Sequence, residues 1–112
     1  MPPSPLLKRH GDIILFLQRL NPRQRAKFIS SLSKTHIDTI SELFSNFLRG
    51  NLTRDPRVVK KVKKFGKEIK AVACKRTGVK SKKHILSKPK GGAILSVLLP
   101  LAASLISGLV AR

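Results

Sequence analysis

Residues 93–111 carry no charged side chain, while the forty residues before them hold fifteen of the chain's 24 lysines and arginines. This segregation narrows what the chain can fold into, because an apolar run must leave water and a basic run must stay in it. As a helix the uncharged run is about 28 Å long, close to the thickness of a bilayer's hydrocarbon core. The formal net charge of +19 divides as +5 over residues 1–52, +13 over 53–92 and +1 over 93–112. We read three segments from it: a small helical region (1–52), a basic DNA-contacting region (53–92) and an apolar C-terminal tail (93–112). The expected fold is all-α: a small N-terminal helical bundle or hairpin, a long basic amphipathic helix and an apolar helical tail.

In the first segment, prolines at 2, 3 and 5 forbid a continuous helix at the start. The short apolar run Ile13–Leu17 follows Asp12 and has no small-residue cleavage site behind it, so it is not read as a secretory signal. Ile13, Phe16/Leu17 and Leu20 form one helical face. Asn21-Pro22 is a cap followed by a first-turn proline, opening a second helix with Ala26, Phe28/Ile29 and Leu32 on one side. Thr35 is expected to cap a third, in which Ile37, Ile40, Leu43/Phe44 and Phe47/Leu48 repeat at helical spacing. Gly50 stands where a left-handed helix terminator belongs. A core of about 12 apolar side chains on three short helices would be only marginally stable by itself, so self-association or a partner would help.

The second segment opens on Asp55-Pro56, again a cap and a first-turn proline. Val58, Val62, Phe65, Ile69 and Val72 then predict one long helix over about residues 56–75, with a heptad-like seam. Gly66 marks a weak point in it, Thr77-Gly78 ends it, and Ser81 is expected to cap a last short turn. The candidate nucleic-acid-binding side chains are Arg57, Lys60, Lys61, Lys63, Lys64, Lys67, Lys70, Lys75, Arg76, Lys80, Lys82, Lys83, Lys88 and Lys90. Lysine dominates this set, and no Asn or Gln lies between residues 56 and 90. Point charges of that kind meet phosphate without reading base edges. The expected partner is therefore double-stranded DNA, bound without sequence preference.

The third segment supplies candidate membrane-contacting residues: Ile94, Leu95, Val97, Leu98, Leu99, Leu101, Leu105, Ile106, Leu109 and Val110. Pro100, Gly108 and three serines make this run a poorer membrane insert than leucine and isoleucine alone. An anionic membrane, a capsid protein or the first segment are all open to it as partners. The rest of the chain argues against catalysis. His10, His36 and His84 are scattered, with no metal-ligand spacing to Cys, Asp or Glu, so neither metal nor cofactor is expected. Cys74 alone rules out an intramolecular disulfide, and its place on the helix face reads as packing. An enzyme is not expected.

Lys90-Gly91-Gly92-Ala93-Ile94-Leu95, running into Leu98-Leu99-Pro100-Leu101-Ala102-Ala103, resembles the end of adenovirus core protein X, the precursor of the DNA-condensing mu peptide. The longer layout resembles small basic proteins of Polinton (Maverick) elements and adintoviruses. Asn21-Pro22-Arg23-Gln24-Arg25, Gly50-Asn51-Leu52, Lys82-Lys83-His84-Ile85-Leu86 and the Gly-Gly junction carry that likeness. The resemblance implies a virion core or accessory protein of an adenovirus-like virus or integrated element, placed in the virion core and host nucleus. It also implies cleavage by a viral cysteine protease at Gly91-Gly92. Pro89 departs from that pattern, since the protease favours a larger aliphatic residue there. The alternatives are a tail-anchored or membrane-active basic protein located at a membrane, and a coiled-coil adaptor.

Overall fold

The computed structural model describes residues 5–50 and 55–110, with only the backbone for 5–8, 105 and 107–110. Seven helices and no strand are found among them: α1 (Pro5–Arg19), α2 (Pro22–Ser30), α3 (Lys34–Leu48), α4 (Pro56–Lys63), α5 (Gly66–Ala73), α6 (Val79–Ser87) and α7 (Pro89–Val110). The fold is all-α. Several helix boundaries set by neighbouring residues fall as the sequence predicts. Asn21 and Gln24 form a reciprocal capping box: the Gln24 N–H donates to Asn21 Oδ1 (2.8 Å) and the Asn21 N–H to Gln24 Oε1 (3.2 Å). Asp55 caps α4 by accepting from the Arg57 N–H at 2.9 Å. Gly50 ends α3 with φ +77°, a conformation open to glycine at little cost.

Other boundaries differ from expectation. Ser33, not Thr35, caps α3, its Oγ accepting from the His36 N–H at 3.3 Å. Ser81 lies inside α6, whose first turn is preceded by Gly78 without a side-chain cap. The single helix expected over 56–75 is two, α4 and α5, broken at Phe65 (φ −101°, ψ 18°) beside Gly66. The break has a packing reason. α5 lies chiefly along α3, whereas α4 leans toward α7, and one straight rod could not serve both. α1 is likewise divided, with a kink at His10 (φ −118°, ψ 21°).

The largest departure concerns the apolar tail. Rather than standing apart, α7 is the central core helix, and its most extensive packing is against α1. Ile94, Leu95, Leu98 and Leu99 are completely buried, joining Ile14, Leu17, Ile40, Phe44, Val62 and Ile69 in one cluster. Charge divides the chain into three; the core does not. A helix that is apolar on nearly every side is a buried helix, and α7 meets that condition. It also supplies the burial that the N-terminal helices lacked. The radius of gyration, 12.7 Å, is close to the roughly 13 Å expected of a compact domain of this length, which leaves no room for a projecting tail.

Two glycines permit the close approaches around α7. A β-carbon on Gly11 of α1 would sit 2.8 Å from Ile106 Cγ2. One on Gly91 would run into the Ile85 carbonyl and lie 2.7 Å from Leu86 Cα, where α6 turns by 86° into α7. Extended backbone at Lys88 followed by Pro89 makes that corner, since the residue before proline is disfavoured from helix. Further along, Pro100 deprives the Ser96 carbonyl of a donor, but Pro100 faces solvent, where water can replace it.

Candidate nucleic-acid interface

Burying the apolar faces of α4, α5 and α6 turns their charges outward. Twelve of the fourteen candidate lysines and arginines are exposed, so the charge is available to a partner. Arg57, Lys60 and Lys61 of α4 and its C-cap Lys64 stand at i, i+3, i+4 and i+7, one continuous face opposite the buried Val62. Capping by Asp55 fixes the start of that face, and the Lys64 ammonium lies 5.2 Å above the Phe65 ring. Lys67 and Lys70 continue the charge along α5, Lys75 and Arg76 follow on the turn, and Lys80 stands exposed on α6. Lys88 and Lys90 flank the α6–α7 corner.

Acidic partners are few. Among the described residues three ion pairs form: Lys34–Asp38 (2.8 Å), Arg57–Asp55 (3.4 Å) and Lys90–Glu68 (3.8 Å). Exposed pairs of this kind hold their cations weakly. Lys60, Lys61 and Lys64 are exposed and enter none of these pairs.

Two of the candidate residues are diverted inward. Lys82 is only 3% exposed, and its Nζ donates to Ser41 Oγ at 2.8 Å, joining α6 to α3. Burial pulls its pKa below the ordinary lysine value, an effect that Asp38 partly offsets. It is a structural residue, not part of the basic surface. The position explains this: on α6, Lys82 shares a face with the buried Leu86. Lys83 is half-buried and donates to the Ser30 carbonyl of α2 at 3.2 Å.

Arg25, which sequence reasoning left as one basic residue among many, is also interior at 6% exposure. Its guanidinium gathers the end of α1: Nε donates to the Leu17 carbonyl (3.2 Å) and Nη2 to that of Leu20 (3.0 Å), while Nη1 reaches Ser96 of α7 (3.2 Å). Carbonyls at a helix C-terminus carry partial negative charge, and although the Leu17 carbonyl also accepts the Leu20 N–H (3.2 Å), a cation there is favoured electrostatically. Desolvation lowers its pKa, yet a guanidinium remains charged. No local pattern announces this role, because Ser96 lies 71 residues away in sequence.

The remaining candidates divide similarly. Of the membrane-contacting set, Ile94, Leu95, Leu98, Leu99 and Ile106 are in the core, and Val97 and Leu101 are half-buried. The side chains of Leu105, Leu109 and Val110 lie outside the described set. No single helix among the described residues is long and apolar enough to cross a membrane; the α6–α7 pair qualifies only jointly, across its 86° bend. Gly91 and Gly92 belong to the first turn of α7, where the Gly92 N–H donates to the Lys88 carbonyl at 2.9 Å. Cutting the chain there requires that turn to open.

Cys74 does not pack; it is exposed just past the end of α5. The Arg76 backbone N–H, followed by the Thr77 backbone and hydroxyl groups, holds its thiol below the ordinary value, and the Arg76 charge adds to this. His10 and His36 meet edge to face with ring centroids 5.9 Å apart, and no cluster of metal-ligating side chains is found among the described residues. No protein-family model matches the chain, and neither does a curated protein or a solved structure.

Proposed function

We propose that this protein binds duplex DNA through the charge of its α4–α6 surface, without reading sequence, as a condensing or core protein. The observation that carries this reading is the exposed stripe Arg57, Lys60, Lys61 and Lys64, four cations on one helix face with one weak acidic neighbour. Lining a helix along the polyanion releases condensed counterions, which rewards lysine wherever phosphates run. Packaging of viral DNA is the setting that the likeness to adenovirus core proteins suggests.

The test is a salt titration of the full chain on duplexes of unrelated sequence. About 8 phosphate contacts give a slope of log K against log salt near −7, the same for every sequence. Replacing Lys60, Lys61 and Lys64 by Gln flattens the slope by about 2–3. Sequence-dependent affinity, or binding indifferent to salt, overturns the reading. Charge variants are the proper probe because removing residues 93–112 removes the core helix as well.

A further inference from the structure

Three large apolar side chains are exposed among the described residues: Phe16 (43%), Leu48 (46%) and Val59 (40%). Two of them, Leu48 and Val59, line a single groove of about 600 Å³ between the end of α3 and the α4–α5 break. Among the described residues, Phe47, Val62 and Ile69 join its apolar lining, and its charged lining is Lys63 and Lys70, with no carboxylate. This is a different face of α4 from the Arg57–Lys64 stripe. Along α3, Ile40, Leu43 and Phe44 are fully covered by the fold, so large apolar side chains become exposed only where the groove begins.

We propose that this groove docks an acidic amphipathic helix of a partner protein. Apolar anchors on that helix, spaced i, i+3/i+4 and i+7, would seat against Leu48 and Val59, and its flanking carboxylates would meet Lys63 and Lys70. Charge complementarity selects this occupant. A second copy of the chain brings another +19 toward a lysine-edged groove, whereas an acidic helix satisfies both the apolar lining and the two ammonium groups. The apolar anchors Leu48 and Val59 take no part in the DNA reading, whereas Lys63 and Lys70 belong to both proposed surfaces.

The experiment uses the full chain and two synthetic peptides of about 18 residues, identical in Leu and Glu content. One places the leucines on a single helical stripe, and the other scatters them around the helix. Fluorescence anisotropy at physiological salt, where screening acts over about 8 Å, then separates docking from bulk attraction. The striped peptide is expected to bind about tenfold more tightly than the scattered one. Leu48→Ser with Val59→Ser should abolish that preference and leave the salt slope on DNA unchanged. Lys63→Gln with Lys70→Gln should weaken the striped peptide most. Both apolar positions are exposed, so the variants should keep their helical spectrum; Val59→Thr alone is the milder substitution for the same comparison. Equal binding of the two peptides overturns the proposal, as does a preference indifferent to Leu48 and Val59. Uptake by phosphatidylglycerol vesicles that requires Leu48 and Val59, with no binding of the striped peptide, overturns it in favour of lipid.

Discussion

Leu98→Ala tests whether α7 is core or appendage. Leu98 is fully buried in the middle of α7. Its truncation removes three carbons from the interior, about 2.4 kcal/mol at 0.8 kcal/mol each. The cavity left among close-packed neighbours raises the cost to about 3–5 kcal/mol. For 112 residues at about 0.05–0.15 kcal/mol each, total stability is roughly 6–17 kcal/mol, so one truncation takes a substantial share. Urea unfolding followed by far-ultraviolet circular dichroism reads this directly. With a slope of about 1.5 kcal/mol per molar, the midpoint should fall by about 2–3 M. Ser104→Ala, at an exposed position of the same helix, serves as the control and should shift it by less than about 0.5 kcal/mol. If Leu98→Ala behaves like that control in buffer without lipid, α7 does not hold the fold together, and the argument for a single core falls with it.

Two further outcomes concern the interior cations. Arg25→Met should cost about 2–4 kcal/mol in the same urea assay, because it strips donors from the Leu17 and Leu20 carbonyls and cuts the link to Ser96. Arg25→Lys should rescue little of this, since one ammonium cannot reproduce the three-way fork; full rescue would show that only charge matters there. Lys82→Met should raise the urea midpoint at neutral pH, where the native protein carries a buried ammonium; Ser41 keeps its own bond to the Ile37 carbonyl at 3.0 Å. The folded-state pKa of Lys82 lies below the unfolded value of 10.5, so the unfolded chain binds more protons between the two and wild-type stability rises with pH across that window. The advantage of Lys82→Met should therefore shrink as pH climbs toward 10.5. A gap that widens instead would mean that the ammonium stabilises the fold.

The proposed DNA surface and the core have one origin. A chain with 24 cations repels itself, and compaction requires enough apolar area to overcome that repulsion. Here the uncharged C-terminal run supplies much of it, and burying that run leaves the lysine faces pointing outward. The same segregation that divides the charge into three segments is what lets one core carry so much of it.

Much of what the chain determines locally was legible without a structure, although Ser33 caps α3 in place of Thr35 and Ser81 caps no turn. The Asn21 and Asp55 caps, the Gly50 terminator and the weak point at Gly66 all depend on residues within a turn of one another, and the all-α class follows from the apolar periodicity. Local pattern could not say that Arg25 and Lys82 leave the basic surface, because their partners lie 71 and 41 residues away. Nor could it say that 56–75 must break, since α3 and α7 impose that together. Composition can state that residues 93–111 must leave water. Only the arrangement of the other six helices decides that they do so inside this protein, because burial depends on which apolar faces meet and not on any one segment's own hydrophobicity.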